Sequence, residues 1–226
     1  MKVTTKNVFN ELKSNLDRIK KVYITPNFKD KEIIDFIKEN KIPYVQIEKQ
    51  KLDKMERKNQ GILIEIKDYD YKDLKDIDTN DKKIIILDHL EDPHNFGAII
   101  RTCESAGIKS IIIPKDRSSH ITPTGLKTST GALEYVDIYE VTNLKNAIDY
   151  LKDNGYFIYG AEADGKNYNE IDYADKIVLI IGSEGFGLSN IVRKACDEIV
   201  KIPMKGHVNS LNASVSAGIL IYGIKN

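Results

Sequence analysis

Apolar and polar positions alternate along the chain in two different ways. Up to residue 67 short apolar runs alternate with amphipathic stretches. A helix through Val8–Leu16 leads to a strand at Val22–Thr25. In DKEIIDFIKEN, Ile33, Ile34, Phe36 and Ile37 recur at helical spacing, and Asp30 stands where a helix cap belongs. A strand at Tyr44–Ile47, a charged helix from Lys51 to Lys58 and a strand at Gly61–Ile66 complete a small α/β unit over residues 1–67. Residues 68–82 are acidic, polar and aperiodic, and read as a linker.

From residue 83 the strands become continuous apolar runs: Ile84–Leu87, Ser110–Ile113, Val136–Tyr139, Phe157–Gly160, Ile177–Ile181 and Glu198–Ile202. Such runs suit parallel strands covered on both faces. Helices are expected between them over Ala98–Ala106, Leu144–Asn154 and Asn190–Asp197, with a last one over Leu211–Tyr222. Gly107 and Gly155 stand where a left-handed C-cap needs a residue without Cβ, and Ser189 is placed to cap the helix after it. Residues 83–226 therefore read as a second α/β domain built on a parallel sheet.

Composition narrows the class. The chain is 41% hydrophobic and 30% charged, which is globular, and it shows neither a secretory-type start nor an apolar run of membrane length. A soluble, cytoplasmic protein is the expectation. Cys103 and Cys196 lack a CxxC neighbour and read as reduced thiols; His89, His94, His120 and His207 lack zinc-ligand spacing, so no bound metal is expected. The net charge of zero is unevenly spread, because residues 1–67 hold sixteen Lys and Arg against ten Asp and Glu. A basic front unit suits a polyanion such as RNA, although lysine-rich solvated helix faces would give the same count.

In open α/β sheets ligands bind beyond the carboxyl ends of the strands, and three loops there are unusual. LDHLEDPHNFGAIIRTCESAG (residues 87–107) has Pro93, Asn95 and Gly97 in an apparent tight turn, with Arg101 about one helical turn further on. A cation so near a helix start opposes the helix dipole and calls for an anion, whether a ligand or Glu91 or Asp92. IIGSEGFGLSN (180–190) sets three glycines around Glu184, but in the reverse of the dinucleotide-binding order. IPMKGHVNSLNASVSAGILIY (202–222) runs from a strand through a polar loop to Ser210 and Asn212, which open a helix with a face of small residues. Capping alone could account for those two.

Taken together, N-x-G-x(3)-R, I-G-S-E-G-x-G and I-P-M-x-G-x(3)-S-L-N-x-S-V-x-x-G, in this order and in these strand-to-loop contexts, resemble the three motifs of the SpoU/TrmH family of RNA ribose 2′-O-methyltransferases. The front unit, from KNVFNEL through KVYIT to NQGILIEI, is similar to the substrate-binding domain of the family's large-subunit ribosomal RNA guanosine methyltransferases; it departs at Asn59, where those relatives carry His. The resemblance implies a parallel α/β sheet with a C-terminal trefoil knot, preceded by a small α/β substrate-binding domain. It implies S-adenosyl-L-methionine as cofactor, held around Gly182, Ile202 and Leu211, and a catalytic set of Asn95, Arg101, Glu184, Ser210 and Asn212. It also implies a homodimer through the catalytic domain, with RNA as partner. A sulfonium arrives already activated, so the chemistry needs no metal. Arginine is effectively always protonated and is a poor general base, so Arg101 is expected to hold an RNA phosphate and steady the developing alkoxide. A tRNA ribose methyltransferase, a catalytically silent RNA-binding relative and a dinucleotide-dependent oxidoreductase are the other readings.

Overall fold

The computed structural model describes residues 1–224. The front unit runs β1 (Lys2–Thr4), α1 (Lys6–Leu12), β2 (Ile19–Ile24), α2 (Lys31–Glu39), β3 (Tyr44–Gln46), α3 (Lys49–Met55) and β4 (Ile62–Ile66). Its four strands are ordered β1-β4-β2-β3. β2 and β3 are parallel, whereas β4 runs antiparallel to both β1 and β2. Asp30 caps α2 as expected, its side chain accepting from the Ile33 amide at 3.3 Å. The helix expected over Val8–Leu16 stops at Leu12, and a 3-10 turn covers Leu16–Arg18. β1 was not anticipated, because three residues of mixed polarity carry no periodic signal.

The second sheet contains β5 (Lys83–Asp88), β6 (Ser110–Pro114), β7 (Asp137–Val141), β8 (Phe157–Asn167), β9 (Ile177–Gly182) and β10 (Glu198–Lys201). The order is β10-β8-β9-β5-β6-β7, and every neighbouring pair is parallel. Its helices are α4 (Pro93–Ser105), α5 (Pro123–Ser129), α6 (Leu144–Asp153), α7 (Asn190–Ala195) and α8 (Ala213–Gly223). The apolar runs are continuous because each strand buries both faces. Ile84 and Ile86 look toward α6 and α7, while Ile85 and Leu87 join the core shared by α4, α5, α8 and the front unit. Gly107 and Gly155 take φ of +75° and +84° at the ends of α4 and α6.

Three expectations about local structure are corrected. α4 begins at Pro93, with the Asp92 side chain accepting from the His94 amide, so Pro93, Asn95 and Gly97 lie inside a helix rather than in a turn. Arg101 is consequently well past the helix start, and the dipole argument for an anion beside it lapses. Residues 68–82 do not form a loose connection. The Tyr69 hydroxyl donates to the Val136 carbonyl and accepts from the Ile138 amide, and Lys72 bridges to Tyr139, so the segment lies along β7. Ser189 precedes α7 without a side-chain capping bond.

After β10, at one edge of the sheet, the chain returns across the ends of β8 and β9 to α8, which packs on α4. That course is consistent with the expected C-terminal knot. No described helix is long and apolar enough to cross a membrane.

Candidate active site

The two central strands β9 and β5 end in Gly182 and Asp88, and the loops leaving them diverge. Beyond β9 the chain folds back on itself. The Ser183 and Gly187 amides exchange hydrogen bonds with each other's carbonyls at 3.1 and 3.0 Å. Gly182 permits this, since a Cβ there would lie 2.3 Å from the Gly187 carbonyl carbon, and Gly185 and Gly187 adopt φ of +83° and +66°. Two carboxylates hold the hairpin from below. Glu162 accepts from the Leu188 amide at 2.7 Å, and buried Asp88 accepts from the Ser189 amide at 2.6 Å. Neither acid stood out in the sequence, because Asp88 ends an apolar strand and Glu162 lies just past the apolar run of β8, and no periodicity marks either.

Above the hairpin three side chains distant in sequence converge, from α4, the hairpin and the start of α8. Glu184 Oε1 accepts from Asn95 Nδ2 at 2.8 Å and from Asn212 Nδ2 at 2.6 Å. Asn212 Nδ2 also donates to Asn95 Oδ1 at 2.9 Å. The Asn212 Oδ1 accepts from the Ser214 and Val215 amides and so caps α8. Asn212 therefore caps α8 and bonds Glu184 and Asn95 at the same time. Asn95 is buried within α4, and Gly97 lets that helix approach α5; a Cβ there would lie 2.5 Å from the Gly125 carbonyl oxygen.

A cavity of about 560 Å³ opens between β8, β9, β10 and the loop to α8. Gly182, Glu184, Ile202, Ser210, Leu211 and Asn212 all line it, together with Ala161 and Leu220. Within the described residues, the backbone of residues 203–211 makes no hydrogen bond to the rest of the chain. Its polar groups are free for a ligand. A second cavity, of about 630 Å³, lies across the hairpin and is lined by Asp88, His89, Asn95, Arg117, Ser183 and Glu184 among others. Arg101 lines neither cavity. It is an exposed residue of α4, in range of the Glu11 charge, and among the described residues it pairs with neither Glu91 nor Asp92.

Residues 82–222 match the model of the SpoU rRNA Methylase family. The chain belongs to that family. Residues 6–72 match a second model, RNA 2′-O ribose methyltransferase substrate binding. A proposed TrmH family tRNA/rRNA methyltransferase of Staphylococcus saprophyticus is 42% identical over 217 residues, covering 91% of this chain and 87% of the relative. Among solved structures, the SpoU methyltransferase AviRb of Streptomyces viridochromogenes superposes with a TM-score of 0.85 at 22% identity, over 99% of this chain and 87% of that one. An AdoMet-bound rRNA methyltransferase of Sinorhizobium meliloti gives 0.81 at 22% identity, over 98% and 84%. These two likenesses carry the fold. As a SpoU-family member the chain is an RNA methyltransferase, and it has both the catalytic and the substrate-binding parts.

Proposed function

We propose that this enzyme transfers a methyl group from S-adenosyl-L-methionine to a ribose 2′-hydroxyl of RNA, the target being a guanosine of large-subunit ribosomal RNA. The observation that carries this reading is the Asn95–Glu184–Asn212 cluster set at the junction of two cavities. The first cavity fits the cofactor. Ile202, Leu211, Ala161 and Leu220 offer apolar walls for adenine, Gly182 admits close backbone approach, and the free backbone groups of residues 203–211 can bond a nucleoside. When bound there, the cofactor supplies a methyl group already activated as a sulfonium.

The chain's own residues supply position and electrostatics. Asn95, Glu184 and Asn212 lock helix α4, the β9 hairpin and the start of α8 together, so that the floor between the cavities is rigid before substrate arrives. Ser210, exposed in the β10–α8 loop, is free to bond either ligand. Arg101, exposed on α4, takes an RNA phosphate through its planar fork. The 2′-hydroxyl distinguishes RNA from DNA at such a site. With ribosomal RNA as substrate, the enzyme works in the cytoplasm. The domain division at residues 1–67, 68–82 and 83–226 belongs to the same reading: the basic front unit grips RNA and the knotted domain carries out the transfer.

The test is methyl transfer from labelled S-adenosylmethionine to unmodified large-subunit rRNA and, separately, to bulk tRNA transcripts. Label at a single 2′-O-methylated guanosine of the rRNA is expected. Label on tRNA alone would overturn the substrate and keep the chemistry.

A further inference from the structure

The second cavity contains a pair of side chains for which the resemblance assigned no part. Asp88 is 1% exposed at the end of β5, and its Oδ1 lies 2.5 Å from His89 Nδ1. Its other oxygen is occupied by the Ser189 amide, so the carboxylate is fixed from two sides. His89 has a φ of +56°, a left-handed conformation that few non-glycine residues adopt and that costs conformational energy. The result is an imidazole whose Nδ1–H is held by a buried carboxylate and whose Nε2 is left as an acceptor. The ring is 28% exposed and forms part of the cavity wall. Asn95 and Glu184 line the same cavity, and Glu184 also lines the first cavity, so the two cavities meet at Glu184.

We propose that the second cavity receives the target nucleotide and that His89, oriented by Asp88, accepts the proton of its 2′-hydroxyl. The inference rests on the ribose-methyltransferase reading and adds the group that reading lacks, since an arginine is too basic to serve. The balance is simple. The 2′-oxygen forms its bond to the methyl carbon as the carbon–sulfur bond breaks, and that electron pair stays on sulfur, giving a neutral thioether. The hydroxyl proton passes to His89 Nε2 and later to water. The charged groups that line this cavity with His89 are Asp88 from β5, Glu91 and Asp92 ahead of α4, Arg117 beyond β6 and Glu184 on the hairpin. Arg117 at the wall can take the phosphate of the entering nucleotide.

His89→Gly is the informative variant, because glycine accepts the left-handed backbone without strain and leaves space where the ring was. On full-length enzyme with the rRNA transcript, turnover is expected to fall by about 10²–10⁴-fold, the scale of a lost general base. Added imidazole is expected to restore part of it. The acid limb of the pH–rate profile, where a protonated ring cannot accept, should vanish in the variant. A readout independent of activity is carbethoxylation of His89 by diethyl pyrocarbonate, followed by peptide mass spectrometry; the rRNA transcript should slow it. Turnover within about threefold of wild type with an unchanged pH profile, or labelling of His89 indifferent to rRNA, overturns the proposal. A wild-type enzyme that forms no 2′-O-methyl product on any RNA would instead sink the functional reading on which it stands.

Discussion

Asn212 shows at the scale of one residue how a bland role and a specific one can share a side chain. Its oxygen caps α8 and its nitrogen donates to Glu184 and Asn95. Asn212→Ala removes both, so unfolding stability should fall by about 1–3 kcal/mol, from a lost cap and donors removed from a carboxylate. Asn212→Asp separates the two roles. It keeps an oxygen for the cap but sets an anion against Glu184, so it should retain more of the helix stability than Ala while turnover falls at least as far. Thermal unfolding beside methyl-transfer rates checks this; full activity in the Asp variant would show that the donors to Glu184 are dispensable. Six of the eight site residues expected from the motifs line the first cavity, and Asn95 lines the second. Arg101 is the exception, because the motif spacing records its distance along the helix but not the direction in which it points. Asp88, His89 and Glu162 escaped notice for the opposite reason, since their roles depend on contacts between loops that no local pattern encodes. Asn59, where relatives carry His, is 3% exposed and bonds Asp53, the Glu56 carbonyl and the Gly61 amide. In this chain its work is to shape the turn before β4.

At the scale of elements, periodicity located all six parallel strands, because buried parallel strands are written as unbroken apolar runs, but it ended β8 at Gly160, seven residues short, where the apolar run gives way to polar residues. It missed α5, whose PTGLKTS has no apolar stripe, and it began α4 late because Asn95 and Gly97 look like turn residues. The reason for Gly97 is visible only in the crossing of the two helices. α8 carries a different message. Ala213, Ala217, Leu220 and Ile221 are buried, yet Val215 and Tyr222 stand 49% and 64% exposed, with Gly218 open between them. An apolar stripe on the outside of a helix is the signature of a covered surface, and a second copy of this chain is the occupant that the family resemblance implies. Tyr222→Glu should therefore convert a dimer to a monomer in sedimentation velocity while leaving the unfolding cooperative. A monomeric wild type, or a variant that stays dimeric, would remove α8 from the interface.

At the scale of the whole molecule, the two parts share one core, and the joint between them contains charges. Arg18 of the front unit pairs with Glu134, which also accepts from Asn15 at 3.0 Å. Beside them Glu11, at the end of α1, packs against Gly131, where a Cβ would lie 2.6 Å from its Cγ. Among the described residues, Glu11 Oε2 and Arg18 Nη2 are buried without a hydrogen-bond partner. Burial, and then the charge of Glu134, push the Glu11 carboxyl up to about 7, with Arg101 pulling the other way. The folded state therefore binds this proton more tightly than the unfolded chain. The contribution of Glu11 to stability is fully present below the ordinary carboxyl pKa, declines as pH rises toward 7 and is lost above it. Glu11→Gln imitates the protonated form. It should melt about 2–4 °C above wild type at pH 8, the shift that roughly 1 kcal/mol produces in a chain of this size once solvent screening is allowed for. The two curves should converge below the ordinary carboxyl value of 4.5, where the wild-type carboxyl carries its proton in the folded and the unfolded state alike. A difference in melting temperature that is the same at both pH values would mean that the substitution acts through packing against Gly131 and not through charge. The charge asymmetry of the sequence pointed outward, to a basic front unit facing RNA, and gave no sign that a carboxylate of that unit is buried in the joint within range of the arginine proposed to hold the substrate.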